Sequence, residues 1–324
     1  MLAILTGIAA GAASTAQASV NGRIREDYRS TYLTAVLSFI VAMLILILAV
    51  LATEHNLDIP IREIAGYPFW IWLGGSCGTA IITLNVVCLP YLGSARNVMI
   101  ICFGQTMFGL LIDHAGLLGS PVVRMSLWRF LGAVVVIIGA ALVNGIKFRD
   151  NEDPGERDPE NASGPGGRIL LYMLLAFLNG FACAAQVAIN GSLNTVVGSA
   201  TKATLISMTV GLLTTVLLIF LLALVKGRMA IYDGGIRGTG LVRGFRPWMA
   251  IGGTLSIVVV CGNAITAPVL GTGIVTILNL IGMMGAGLVI DAIGFLGIEK
   301  KPVTAAKVTG MVLMTAGTAM ISLL

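Results

Sequence analysis

The stretch Gly104–Gly119, GQTMFGLLIDHAGLLG, returns at Gly282–Gly297 as GMMGAGLVIDAIGFLG. Gly104, Gly109, Leu110, Ile112, Asp113, Gly116, Leu118 and Gly119 all reappear 178 positions further on. The same spacing carries Gly75 to Gly253, Asn85 to Asn263, Pro90 to Pro268, Gly93 to Gly271 and Gly139 to Gly317. So many coincidences at one spacing make the chain two copies of one unit, and a repeat of this kind governs how every other segment is read.

Working outward, Gly11, Gln17, Asn21 and Gly22 recur as Gly180, Gln186, Asn190 and Gly191, at a spacing of 169. The shift from 169 to 178 puts nine extra residues into the second copy, in the loop Lys226–Arg246. Ala16-Gln17-Ala18 imitates a signal-peptidase site, but no Lys or Arg precedes it as an n-region. A disposable leader has no reason to be repeated mid-chain, so this stretch reads as a first membrane helix.

The 324 residues are 57% hydrophobic and 11% charged, with mean hydropathy +0.96. Soluble domains carry about 25% charged residues. No core of this size hides so much apolar side chain from water, so lipid must be the solvent. With roughly 20 apolar residues needed per crossing, spans fall near 2–22, 31–53, 69–90, 95–114 and 126–146, then 169–190, 200–225, 247–268, 271–291 and 303–323. The expected fold is an all-α membrane protein of ten transmembrane helices, arranged as two five-helix repeats over 1–146 and 169–324. Between them, residues 147–168 hold charge, Pro and Gly and almost nothing apolar, the composition of a flexible linker.

Five helices is an odd number, so the second copy enters the membrane from the opposite side and the repeat is inverted. The basic residues agree: four (Arg62, Arg124, Arg129, Lys202) fall on the face shared by the termini and sixteen on the other. The positive-inside bias makes the richer face cytoplasmic and puts both termini outside. Trp70, Trp72, Trp128 and Trp248 fall at helix ends, where amphipathic rings suit the headgroup level.

Inverted repeats are an architecture of secondary transporters, whose sites lie at the midplane between the copies. Gln17 and Asn21, and Gln186 and Asn190, are i,i+4 pairs on one face of each first helix, and Asn179 extends the second stripe. Neutral amides are tolerated at depth only against protein or a watery cavity. They serve as solute contacts or as glue between helices, and Asn21-Gly22 and Asn190-Gly191 also read as helix C-caps. Asn85 and Asn263 lie five residues before Pro90 and Pro268, while Gln105 and Asn279 break the repeat. Asp113 and Asp291 are the carboxylates inside or beside a span. A charged Asp at bilayer centre costs roughly 2.5–3.5 kcal/mol. Two readings fit: a helix-end turn that carries the carboxylate to the interface, or a proton- or cation-coupling site.

The five cysteines, all in apolar stretches, have no CxxC partner or nearby His, so neither a zinc site nor a disulfide framework is supported. No HExxH, GxSxG or GKS/T motif occurs, and an ATP-driven pump would need a nucleotide-binding domain. No cofactor, metal, enzymatic turnover or nucleic-acid partner is expected.

With the repeats laid out, the chain resembles the YdcZ-type branch of the drug/metabolite transporter superfamily. The resemblance rests on Gln17-Asn21-Gly22 and Gln186-Asn190-Gly191, on Gly74-Gly75 and Gly252-Gly253, and on the Ile-Asp-x-x-Gly ends at Asp113 and Asp291. Some members of that branch are single five-helix units that pair. This chain looks like the fused form, with which a homodimer is also compatible. The resemblance implies export of a small metabolite or drug-like solute by alternating access, with Gln17, Asn21, Asn85, Gln105, Gln186, Asn190 and Asn263 as candidate contacts. The small multidrug members exchange protons through a glutamate in the first helix. Neither first helix here holds one, which favours a neutral or zwitterionic solute. The other class of reading is a membrane scaffold or sensor subunit.

Overall fold

The structure is a computed structural model that describes residues 1–143, 166–226, 245–293 and 304–323. Helices dominate the described residues, and strands are absent from them. In order they are α1 (Leu2–Tyr28), α2 (Thr31–Glu54), a short α3 (Ile61–Ala65), α4 (Gly74–Ala115), α5 (Leu127–Val143), α6 (Gly166–Val197), α7 (Ala200–Lys226), α8 (Ala250–Leu270), α9 (Thr272–Ile293) and α10 (Ala305–Leu323). Within α4, Gly93 adopts φ 70°, ψ 167°, which breaks it into limbs α4a (Gly74–Gly93) and α4b (Arg96–Ala115). Gly271, the copy of Gly93, adopts φ 82°, ψ 157° between α8 and α9. This left-handed conformation suits a residue without Cβ.

Counting the limbs separately, eight described helices are long and apolar enough to cross a membrane, and α5 and α10 are shorter apolar helices. The chain is a multi-pass membrane protein. The linker expected over 147–168 lies outside the described residues except at its end, where α6 has already begun at Gly166. The insertion between α7 and α8 lies largely outside them too.

Helix ends depart from the expected spans in an informative way. Asn21-Gly22 and Asn190-Gly191 are not C-caps, because α1 continues to Tyr28 and α6 to Val197. The terminating residue of α1 is Arg29, at φ 51° and ψ 32°, whose N–H reaches the Arg25 carbonyl. Residues 23–28 are mostly charged, yet the helix runs on through them, stapled by an Arg23–Glu26 pair at i,i+3 and anchored by the buried Ile24. Apolarity measures the membrane crossing, not the helix.

Packing follows the glycines. A methyl added at Gly282 would collide with the Ile8 carbonyl, and one at Gly11 with that of Asn279, so α1 lies directly on α9. The equivalent pairs recur: Gly104 against the Phe177 carbonyl and Gly180 against that of Ile101, which lays α6 on α4b. Likewise Gly75 meets the Ser207 carbonyl (α4a on α7) and Gly253 meets that of Ser38 (α8 on α2). The first helix of each copy thus leans on the other copy. On α5, Gly132, Val136, Gly139 and Val143 form a buried stripe at helical spacing. Gly132 faces Gly317 and Gly139 faces Gly310, so α5 and α10 pack antiparallel at near-backbone distance. Around them lies the largest apolar cluster, including Cys102, Leu110, Val136, Ile277, Leu280, Met284 and Met314.

Candidate functional site

The two glutamines reach the other copy, while Asn21 bonds within its own. Gln17 Nε2 donates to Ser256 Oγ on α8 at 2.7 Å, and Asn21 Oδ1 accepts from Ser38 Oγ on α2 at 3.0 Å. On the other side Gln186 Nε2 donates to the Gly74 carbonyl at 3.3 Å. Gly74 and Gly252 clear space for these side chains, since a methyl at either would collide with the Oδ1 of Asn190 or Asn21 respectively. Asn190 is 2% exposed, and neither end of its amide has a protein partner.

Asn85 and Asn263 are each paired with an asparagine of the next helix. Asn97 Nδ2 donates to Asn85 Oδ1 at 2.9 Å, and Asn279 Nδ2 donates to Asn263 Oδ1 at 2.9 Å. Each pair bridges the two arms of a tight helical hairpin across the Gly93 or Gly271 break. Gln105 is buried on α4b where α6 crosses, with its backbone N against Gly180.

Asp113 sits in the last turn of α4b, where the Gly116 N–H caps its carbonyl, and its side chain turns inward. Its carboxylate is fully buried and accepts from the N–H groups of Thr272 (2.7 Å) and Gly273 (2.8 Å) and from Ser120 Oγ (2.7 Å). The Thr272 and Ser120 hydroxyls lie 2.9 Å apart. The carboxylate therefore caps the start of α9, where orphan N–H groups and the positive end of the helix dipole favour an anion. Its interface position was expected from the chain end of α4b alone; the cap comes from across the repeat. The side chain of Asp291 lies outside the described residues.

Three contributors escaped sequence reading. Ser120 and Asn97 have apolar counterparts, Ile298 and Val275, so the repeat hid them. Asn194 Nδ2 donates to the Ala264 carbonyl at 2.9 Å. Pro268 has no N–H with which to satisfy that carbonyl four residues earlier, so an amide from α6 fills the gap. A proline-orphaned carbonyl in a membrane helix was the signal that a partner had to exist.

Beyond Asn190 along α6, a cavity of about 210 Å³ opens among α6, the end of α8, the start of α9 and the turn after α4b. Ser120, Ser192, Thr195 and Thr272 give it hydroxyls, and Ala188, Ala267 and Pro268 give it apolar wall. None of the sequence-predicted contacts lines it. Among the described residues no group of three or more His, Cys, Asp or Glu could hold a metal ion.

The family described as "Putative inner membrane exporter, YdcZ" matches residues 2–142 and 171–320, the two copies with the connecting stretch left out. The chain belongs to this family. It is therefore an inner-membrane protein of a transporter family. Among curated proteins none matches. A solved structure described only as "Crystal structure of protein" aligns with TM-score 0.60 over 99% of this chain and 96% of its own, at 15% identity. At that identity the likeness speaks to the fold.

Proposed function

We propose that the chain exports a small uncharged or zwitterionic metabolite or drug-like solute across the inner membrane by alternating access. The two copies, 1–146 and 169–324, act as inverted five-helix repeats of a ten-span carrier joined by the linker 147–168. The observation that carries this reading is the reciprocity of the glycine contacts. Equivalent helices α5 and α10 pack antiparallel through Gly132–Gly317 and Gly139–Gly310, as a two-fold axis in the membrane plane requires. The backbone approaches of α1 at Gly11 and Gly282 have their twins on α6 at Gly180 and Gly104, so the copies can rock against each other about one axis.

The solute path in this reading runs between the copies, along Gln17, Asn21, Gln186 and Asn190, with Gln105, Asn85 and Asn263 beside it. Asp113 is engaged by three hydrogen bonds, which supports a capping role rather than coupling for this residue, and Asp291 remains the candidate for coupling. The charge count places both termini outside. A reporter fused after Leu324 should therefore be active on the periplasmic side; activity on the cytoplasmic side would reverse the orientation without touching the repeat.

The test is metabolite profiling inside and outside cells overproducing the protein, beside cells making a Gln17→Leu/Gln186→Leu variant. A compound class leaving the cell only with the wild type identifies the cargo and supports the amide path. Equal export by both proteins removes these amides from it. No change in any compound, under several growth conditions and in reconstituted vesicles, sinks the exporter reading.

A further inference from the structure

Among the described residues, six buried side-chain polar atoms have no protein hydrogen-bond partner: Oδ1 of Asn97, Asn179 and Asn279, the Thr106 hydroxyl, and both amide ends of Asn190. Polar atoms left unpaired at membrane depth are costly, so each needs a reason. The repeat acts as an internal control. The copies of Asn97, Thr106, Asn179 and Asn279 are Val275, Met284, Ala10 and Ile101, all apolar. Ala10 and Val275 are buried in the same packing positions, so the fold is built without an amide there. Asn190 alone has a polar copy, Asn21.

Two of these groups come together. Asn97 on α4b donates to Asn85 on α4a, and Asn179 on α6 donates to the Ile81 carbonyl of α4a at 3.4 Å. Ile81 is one helical turn before Asn85. Three helices thus bring three carboxamides to one turn of α4a. Their pairings with each other and with backbone leave the Oδ1 of Asn97 and of Asn179 unmet. The equivalent turn of α8 carries Asn263, bonded by Asn279 at 2.9 Å, but has apolar Val275 and Ala10 as the copies of Asn97 and Asn179, so it gathers two carboxamides rather than three. The cluster lies toward the Gly93 break, at the end of the molecule that bears Arg96, and none of its three side chains is charged.

We propose that Asn85, Asn97 and Asn179 form a binding subsite for an uncharged group of the solute that both donates and accepts hydrogen bonds, a hydroxyl or a carboxamide. Carboxamides can present either an acceptor oxygen or a donor N–H₂, so the subsite rejects by charge rather than by polarity. This rests on the export reading and goes further by naming where the solute's polar group sits and why only one copy supplies the contact. Functional polar groups of this kind lower stability in the absence of ligand, because the packing would be satisfied by the apolar residue of the other copy.

The experiment compares Asn179→Leu, alike in branching but bulkier, and Asn179→Ala, the smaller residue of the other copy, with the wild type in detergent and in cells. Asn179→Cys is made in parallel, for labelling with the small uncharged reagent N-ethylmaleimide, which reacts with the thiolate and so reports water at the thiol, in reconstituted vesicles. Expected are a thermal midpoint held or raised in at least one of the two apolar variants, and export of the profiled cargo reduced at least tenfold per folded molecule. Labelling of the new thiol should exceed the background of the native cysteines. A midpoint lowered in both apolar variants makes Asn179 a structural residue and overturns the subsite. So does a thiol that stays unlabelled. Labelling with unchanged export leaves a water-lined groove and no solute contact, which also overturns it. Failure to find any cargo defeats the export reading on that result alone, while labelling and midpoint still decide the subsite.

Discussion

Replacing Asp113 by Asn would keep one acceptor and turn an N–H₂ group toward the N–H of Thr272 or Gly273. A donor facing a donor in a buried site forfeits the bond and leaves the backbone group unpaired, about 1–3 kcal/mol. We expect Asp113→Asn to lower the thermal midpoint in detergent while the pH profile of export keeps its shape; a flattened pH profile would instead assign proton coupling to this carboxylate. Asn194→Leu should cost a similar amount, about 1–3 kcal/mol, by stranding the Ala264 carbonyl beside Pro268. At this scale the sequence was only partly legible. Asp113 stood out as a carboxylate in an apolar run, but its partners lie 159 and 160 residues away, and nothing local spells a cap between copies. Asn179 stood out as an extension of the amide stripe of α6, whereas Asn97 escaped notice because a search for residues shared by the copies passes over a polar residue whose counterpart is apolar.

Helices meet here backbone to backbone, so their tolerance to substitution should follow contact and not residue type. Gly282→Ala would drive a methyl into the Ile8 carbonyl, whereas Gly22→Ala, with nothing within 4 Å of the new atom, meets open space. The first should abolish a monodisperse peak in size-exclusion chromatography, and the second should leave it intact; equal profiles would mean that the α1–α9 approach is looser than described. Gly93→Ala adds a Cβ at φ 70° and should cost about 1–2 kcal/mol, from the left-handed conformation alone. Hydropathy revealed nearly all of the apolar helices, because lipid imposes one length on them. It missed the last turns of α1, since residues 23–28 hold four charged side chains, and it missed that 69–72 is a 3-10 turn packed with Ile64 and Leu193 rather than the start of a crossing helix.

The exchange of first helices ties the molecule together. Because α1 lies on α8 and α9, and α6 on α4a and α4b, neither half closes its own interior. Lys202 on α7 adds a clasp to the end of α2, holding Glu54 Oε2 at 3.0 Å and Asn56 Oδ1 at 2.7 Å. Residues 1–146 and 169–324 expressed as separate chains should therefore accumulate and co-purify together, and be degraded when either is made alone. Stable accumulation of one half by itself would contradict an interface that both need.

The antiparallel meeting of α5 and α10 bears on direction. A carrier made of two identical inverted copies would offer each side of the membrane the same surface, and would bind its solute with one affinity from both. In the proposed export cycle, any preference for one side must then reside where the copies differ, as at Gln105 against Met283, Asn97 against Val275 and Asn179 against Ala10. Left-right bias in this molecule is a property of its mismatches.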